Sequence, residues 1–188
     1  MNEVIKALRE RRSIRSFSPD PVAEADLESI LTAGLYAPSA RNNQGTLITA
    51  LAKPGLIGRL NEAVKSASAQ AGFDRYAALV GQPAYSINFR QAPVFIIVSA
   101  DPAATLTPAE DGALVLGQLM LAAHSLGLGS CWVNQLAPID REPDFRRLLG
   151  ELGLPESHRV IGCLALGHPA GEKPKAPERK PGRLNVIR

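Results

Sequence analysis

Apolar positions recur along the chain with two periods, and the two periods divide it into helices and strands. Val4, Ile5 and Leu8 share one face of a helix over residues 2–11, whose arginines gather near its C-terminal end, where cations suit the helix dipole. Leu27, Ile30, Leu31 and Leu35 repeat at helical spacing and predict a second helix from about Ala23 to Leu35. It stops before Ala37-Pro38-Ser39, because the residue preceding a proline avoids the α region. Leu56, Ile57, Leu60 and Val64 mark a third helix. The clearest start signal is at Thr107, an N-cap residue followed by Pro108 at the first helical position and by Glu110 three residues after the cap. The helix it opens runs to Ser125 and is apolar almost all round (Leu114, Val115, Leu116, Leu119, Met120, Leu121), which predicts a central, buried element ended by Gly127 and Gly129. Phe145, Leu148, Leu149 and Leu152 give one more amphipathic helix, closed by Gly153.

Between the helices lie strand-like runs. Thr46 to Ala52 is one, and Pro93 to Ala100 (PVFIIVSA) is a continuous β-branched run of the kind found in fully buried strands. Ser130 to Leu136 reads as a short strand or extended loop, and Arg159 to Gly167 as a last buried strand. Residues 66–92 are weakly patterned and read as irregular with some helix. Helices and strands alternate only loosely, so the expected fold is a single α+β domain spanning residues 1–188, its sheet covered by helices on both faces. Residues 170–188 have no core pattern and form an extended C-terminal tail.

Charge adds an asymmetry. The net charge is +3, yet residues 1–15 carry five Lys/Arg against two Glu and residues 170–188 carry six against two, so the 154 residues between them are net acidic. The basicity is terminal: the ends are solvated tails, nucleic-acid arms, or two halves of one small-anion site. The acidic middle counts against a nucleic-acid binder. No apolar run approaches the roughly 20 residues of a membrane span, and the N-terminus lacks the apolar core of a signal peptide; a cytoplasmic protein is expected. Cys131 and Cys163, 32 residues apart without CxxC spacing or a nearby His cluster, read as two buried free thiols, with no metal site.

Four stretches carry chemistry, each beside a plainer reading. Arg11, Arg12, Ser13 and Arg15 place three guanidiniums and a hydroxyl just past a helix end; guanidinium forks suit a phosphate, although surface arginines are commonly just solvated. Pro38, Ser39, Asn42 and Gln44 offer amides to a polar ring edge or sugar hydroxyl, or simply make a turn. In the run from Leu128 to Gln135 the glycines allow close backbone approach to a flat ligand, and Trp132 either packs beside it or belongs to the core. The stiff, proline-rich run from Gly167 and His168 through Lys173, Lys175, Arg179 and Lys180 either reaches across a surface or is a disordered basic tail.

In this order and at these spacings, RRSIRSF, APSARNNQ, QAPVFIIVS, LGLGSCW and LALGHPAGEKPKAPERKP resemble the nitroreductase family of FMN flavoproteins, from Val4 to about Pro181. The resemblance implies a nitroreductase-like mixed sheet flanked by helices, with the C-terminal extension reaching a dimer partner. It implies FMN at the interface of a homodimer, with NADH or NADPH as electron donor. Arg11, Ser13 and Arg15 match phosphate and flavin-edge contacts, joined by Arg12; Arg179 matches the C-terminal phosphate contact, with Lys175 and Lys180 beside it. Pro38, Ser39, Asn42 and Gln44 match the segment presented to the other subunit's flavin. Val133, Asn134 and Gln135 fall where backbone faces the flavin's reactive edge, and Gly167 near the phosphate end. Phe73, Tyr76, Phe89 and Arg90 are expected to line the substrate pocket or to anchor a loop.

No dedicated catalytic acid or base is expected. His124 reads as a satisfied core residue, and His158 and His168 lie at strand ends. The family's chemistry implies a ping-pong transfer of electrons to a small, flat acceptor such as a nitroaromatic or quinone. Gly45-Thr46, where many relatives have proline and an aromatic residue, and Asn134-Gln135, where relatives often have glycine, leave the acceptor open. Enone reduction, dehalogenation, flavin fragmentation or a non-enzymatic flavin carrier are the other uses of the same scaffold.

Overall fold

The computed structural model describes residues 1–70 and 91–188, and its centre is the most apolar run of the sequence. That run is β2 (Val94–Ala100), buried at every position. It pairs antiparallel on one side with β1 (Thr46–Leu51) and on the other with β4 (Arg159–Gly167), which pairs antiparallel with β3 (Gly129–Val133). The sheet order among the described residues is β1-β2-β4-β3. These strands are antiparallel throughout; parallel character enters through an isolated bridge between Ser13 and Ser130. A register shift at Val98/Ser99 bulges β4 around Ile161.

Because side chains alternate along a strand, β2 feeds two cores. Phe95 and Ile97 belong to a cluster with Ile57, Leu60 and Val64 of α3 (Pro54–Gln70) and with Phe145 and Leu149 of α5 (Pro143–Glu151). Val94, Ile96 and Val98 face Ile30 of α2 (Glu24–Leu35) and Val115, Leu116 and Leu119 of α4 (Pro108–Ser125). Helices therefore cover both faces, as the sequence predicts. The weakly patterned segment begins as helix, since α3 reaches Gln70; residues 71–90 lie outside the described part.

The structure adds one feature and changes two expectations. The helix α1 (Glu3–Glu10), capped by the Asn2 side chain accepting from Val4 N–H at 2.8 Å, has no buried residue. Its apolar stripe is exposed: Val4 59%, Ile5 49% and Leu8 57%. The helix α4 is central but not enclosed, because α2 and the sheet cover one side of it and leave Leu114 exposed. Thr107 occupies the N-cap without a side-chain capping bond; its hydroxyl donates instead to Asp111 Oδ1 at 3.0 Å. Both cysteines are free and buried, and burial pushes the Cys163 thiol far above its usual range. No helix among the described residues is long and apolar enough to cross a membrane.

Candidate functional site

Three of the four chemically loaded stretches meet along one edge of the sheet. After α1 the chain becomes extended and runs beside the sheet. Ile14 N–H donates to Ser130 O at 2.9 Å, Ser18 N–H to His168 O at 2.9 Å, and Ala170 N–H returns to Ser16 O at 3.0 Å. These bonds tie Arg11–Arg15 to the start of β3 and the end of β4. The approach is close enough to require glycine. A Cβ on Gly129 would lie 2.8 Å from Ile14 Cβ, and one on Gly167 would lie 2.5 Å from Pro93 Cδ. Gly167 is thus needed for packing at the point where the C-terminal tail departs.

The arginines in this corner differ. Arg12 Nη1 donates to Arg9 O at 2.7 Å and to Arg11 O at 2.5 Å, closing the C-terminal end of α1 on its own carbonyls. Arg11 is half-buried and its Nη1, like Arg12 Nε, is sealed from solvent without a hydrogen-bond partner among the described residues, but the Arg11 guanidinium has no side-chain bond of the kind that anchors Arg12. Arg15 is exposed. His124, in the last turn of α4, is half-buried beside them instead of being a satisfied core residue. Burial, foremost, and then Lys173 hold its pKa below the usual histidine value, with Arg11 and Arg12 adding to the effect and Glu10 opposing it. The N-terminal arginines and the root of the basic tail therefore share one neighbourhood, in which cations outnumber the carboxylate of Glu10. Lys175, Arg179 and Lys180 are exposed along the tail.

Val133, Asn134 and Gln135 lie at the other end of β3, about 13 Å along the strand from Gly129 at 3.3 Å per residue. Asn134 is exposed and Gln135 half-buried. Between them and the corner, Trp132 is 38% exposed on this edge strand and lies over Gly162, whose Cβ would come within 2.9 Å of the indole. Phe73, Tyr76, Phe89 and Arg90 fall outside the described residues.

The fourth stretch sits elsewhere. Pro38–Gln44 leaves α2, makes a short 3-10 turn (Ala40–Asn42), and is fastened to the first turn of α4. Ala40 N–H donates to Asp111 Oδ1 at 3.0 Å, the Asn43 side-chain amide donates to Ala104 O, and Gln44 N–H donates to Ser39 Oγ at 2.9 Å. Arg41, Asn42 and Gln44 each adopt φ of 54°, a left-handed conformation unusual outside glycine. Asn42 and Gln44 are exposed, their side chains joined at 3.1 Å. Asp111 and His124 are 13 positions apart on one helix, so this loop and the arginine corner are separated by about 20 Å.

Known proteins share this fold. The nitroreductase family model matches residues 8–168, from α1 through the end of β4. The chain belongs to the nitroreductase family. A nitroreductase from Bacteroides fragilis, solved with bound FMN, superposes with a TM-score of 0.93 at 34% identity, over 100% of both chains. An FMN reductase of Bacillus subtilis that uses NAD(P)H is 33% identical over 94% of this chain and 70% of its own length. A protein of Archaeoglobus fulgidus described as an NADH dehydrogenase or NAD(P)H nitroreductase is 29% identical over 92% of this chain and 89% of its own.

Two groups of this nitroreductase-family chain escape sequence reasoning. Asp111 is only 3% exposed, a carboxylate on the inner side of an apolar helix, and its signal in the sequence is its place between Thr105, Thr107 and the apolar run. The other is an open apolar groove of about 330 Å³ between α1, α2 and α4, lined by Val4, Ala7, Ala33, Leu121 and Ala122. Gln118, which also borders it, has an Oε1 with no partner among the described residues. Among the described residues no cluster of His, Cys, Asp or Glu is suited to a metal.

Proposed function

We propose that the chain works as a homodimer that holds one FMN per subunit at the interface and passes electrons from NADH or NADPH to a small, flat, electron-poor acceptor. The observation that carries this reading is the split site: basic anion-binding groups at one end of α4 and the amide-rich loop at the other, too far apart for one chain to close around one ligand. A second copy supplies the missing half. The exposed stripe of Val4, Ile5 and Leu8 beside the groove over α4 is the surface such a copy would cover.

The residues fit FMN. The unpaired Arg11 Nη1 marks a guanidinium short of an acceptor, and neither Arg11 nor Arg15 forms an ion pair with a carboxylate among the described residues. A phosphate in this corner would be held by Arg11, Ser13 and Arg15, with the tail's Lys175, Arg179 and Lys180 closing over it. Arg12 is committed to capping α1 and keeps that corner in shape. Pro38, Ser39, Asn42 and Gln44 of the second copy would meet the flavin from the other side, and the backbone from Val133 to Gln135 would border its ring. When bound, FMN supplies the two-electron chemistry. The residues named above would hold and orient it, and the nicotinamide and the acceptor would use the site in turn, a ping-pong arrangement. A proton from solvent would suffice for such an acceptor.

The test is an absorbance spectrum of the purified protein, reconstituted with FMN where needed, followed by anaerobic addition of NADH or NADPH. Flavin bands that bleach are expected. Bands that persist with both donors would overturn the reductase reading in favour of a carrier, and failure to retain FMN at all would overturn the cofactor assignment.

A further inference from the structure

We propose that Asp111 is a positioning residue that acts across the subunit interface: it fixes the Pro38–Gln44 loop of its own chain in the shape that completes the second copy's FMN site. The inference rests on the two-chain site proposed above and adds a residue to it that touches no ligand.

The geometry is specific. Asp111 lies in the first turn of α4 with both carboxylate oxygens engaged. Oδ1 accepts from Ala40 N–H at 3.0 Å and from the Thr107 hydroxyl at 3.0 Å, while Oδ2 accepts from the Thr105 hydroxyl at 2.7 Å. The two threonines hold the carboxylate from the α4 side, leaving one direction, toward Ala40, for the loop. The bond lands at the start of the short turn that contains Arg41 and Asn42, and the left-handed residues follow it directly. Such backbone persists only where its surroundings over-determine it. Within the loop the bonds are local, from Asn42 N–H to Ser39 O, Asn43 N–H to Ala40 O, Gln44 N–H to Ser39 Oγ and the Gln44 side chain to Asn42 Oδ1. Among the described residues, the hydrogen bonds that tie it to the rest of the chain are those to Asp111 and Ala104 O. A carboxylate with negative charge near the positive end of a helix is also well placed to stay ionised, and its hydrogen bond from Thr105, ahead of the others, holds its pKa below the ordinary aspartate value.

Removal of this acceptor frees the loop to relax, and Ser39 and Asn42 lose their fixed placement. FMN affinity should fall by about 10- to 100-fold, the fold-change equivalent to one lost charge-assisted hydrogen bond. General loss of structure would also weaken binding, so the decisive experiment is complementation between subunits. Differently tagged Asp111→Ala chains and Arg11→Ala/Arg15→Ala chains are co-expressed, and heterodimers are isolated on both tags. In a heterodimer one site combines intact arginines with an intact loop, and the other carries both defects. If Asp111 acts across the interface, the heterodimer binds FMN with wild-type affinity at half the wild-type stoichiometry, although each homodimer binds weakly. If Asp111 supports only its own chain's site, no tight site returns, and the proposal is overturned. Should Asp111→Ala fail to fold, Asp111→Leu carries the same expectations, because it fills the space and leaves no acceptor for Ala40 N–H; wild-type affinity in an Asp111→Leu homodimer would overturn the proposal equally. Failure of the underlying reading looks different: the Arg11→Ala/Arg15→Ala homodimer would then bind FMN as tightly as wild type.

Discussion

Replacement of Arg11 by methionine should move two measurable quantities in opposite senses. The substitution keeps the aliphatic stem and deletes the guanidinium. In the FMN-free protein the buried Nη1 has no partner among the described residues, and a buried donor without one costs about 1–3 kcal/mol. Deleting that donor offsets the packing the head group provided, so the apo-protein should be unchanged or more stable by up to about 1 kcal/mol. For a chain of this length that is a rise in Tm of zero to about 4 °C. With the phosphate placed as proposed above, the same change would remove a charge-assisted bond of about 1.5–3 kcal/mol from the FMN-bound protein, weakening binding roughly 10- to 150-fold. At an FMN concentration of about 100 times the wild-type Kd, the ligand stabilises wild type by about 2.7 kcal/mol. A variant that binds about 100-fold more weakly gains only about 0.4 kcal/mol at that concentration. The FMN-induced shift should therefore shrink from about 5–11 °C to about 1 °C. Thermal melts with and without FMN, at fixed subunit concentration because a dimer's Tm depends on it, read both numbers, and flavin fluorescence gives Kd directly. The reasoning is refuted by an apo-protein several degrees less stable whose FMN shift is intact, since Arg11 would then be a structural residue and the phosphate would sit elsewhere.

Arg12→Met should instead lower apo stability by about 0.5–1.5 kcal/mol, because the loss of its Nη1 bonds to Arg9 O and Arg11 O outweighs the removal of its own unpartnered Nε, while Kd for FMN changes far less than in Arg11→Met. Equal losses of affinity in the two variants would contradict this division of labour. Ile5→Glu with Leu8→Glu, both on exposed positions of α1, should leave the helical content of the chain unchanged, shift it to monomers in light scattering and release FMN; an intact dimer would exclude α1 from the interface. His124 has a lowered pKa in the folded protein, so below about pH 6.5 the unfolded chain takes up a proton that the folded one resists. Apo stability should therefore be complete above that pH and fall as the pH drops below it. His124→Gln should flatten this slope, and an unaltered slope in the variant would assign it to other groups.

The strands and the long helix were legible because their signals are local. A β-branched run such as PVFIIVSA has few alternatives to a buried strand, and Pro108 after Thr107 fixes where α4 begins. The covering of each helix face was not legible. Val4, Ile5 and Leu8 announce a stripe that must be buried, but periodicity does not say whether the same chain buries it. The helix α4, apolar all round, has no preferred face in its sequence, so the exposure of Leu114 follows only from where α2 lies. The loop was legible as a turn from its amides, yet left-handed Arg41 and Gln44 were not, because neither residue type favours that region and the fastening to Asp111 and Ala104 is made by residues distant in the sequence. Three neighbouring guanidiniums looked equivalent in the sequence. They part company only in space, where Arg12 finds carbonyls of its own helix and Arg11 does not.

These illegible features have a common cause. The exposed α1 stripe, the unpaired Arg11 and Gln118 atoms, and a loop stretched into left-handed backbone are each unfavourable for one chain considered alone. They lie along a single route, from the arginine corner across the α1–α2–α4 groove to the N-terminal turn of α4. A second copy that covered the groove would bury the apolar stripe, and a phosphate in the corner would satisfy the guanidinium. Dimerisation and cofactor binding should then stabilise each other: each removes from the partner event a cost it would otherwise carry, so FMN should tighten the subunit dissociation constant by the same factor that dimerisation tightens FMN binding.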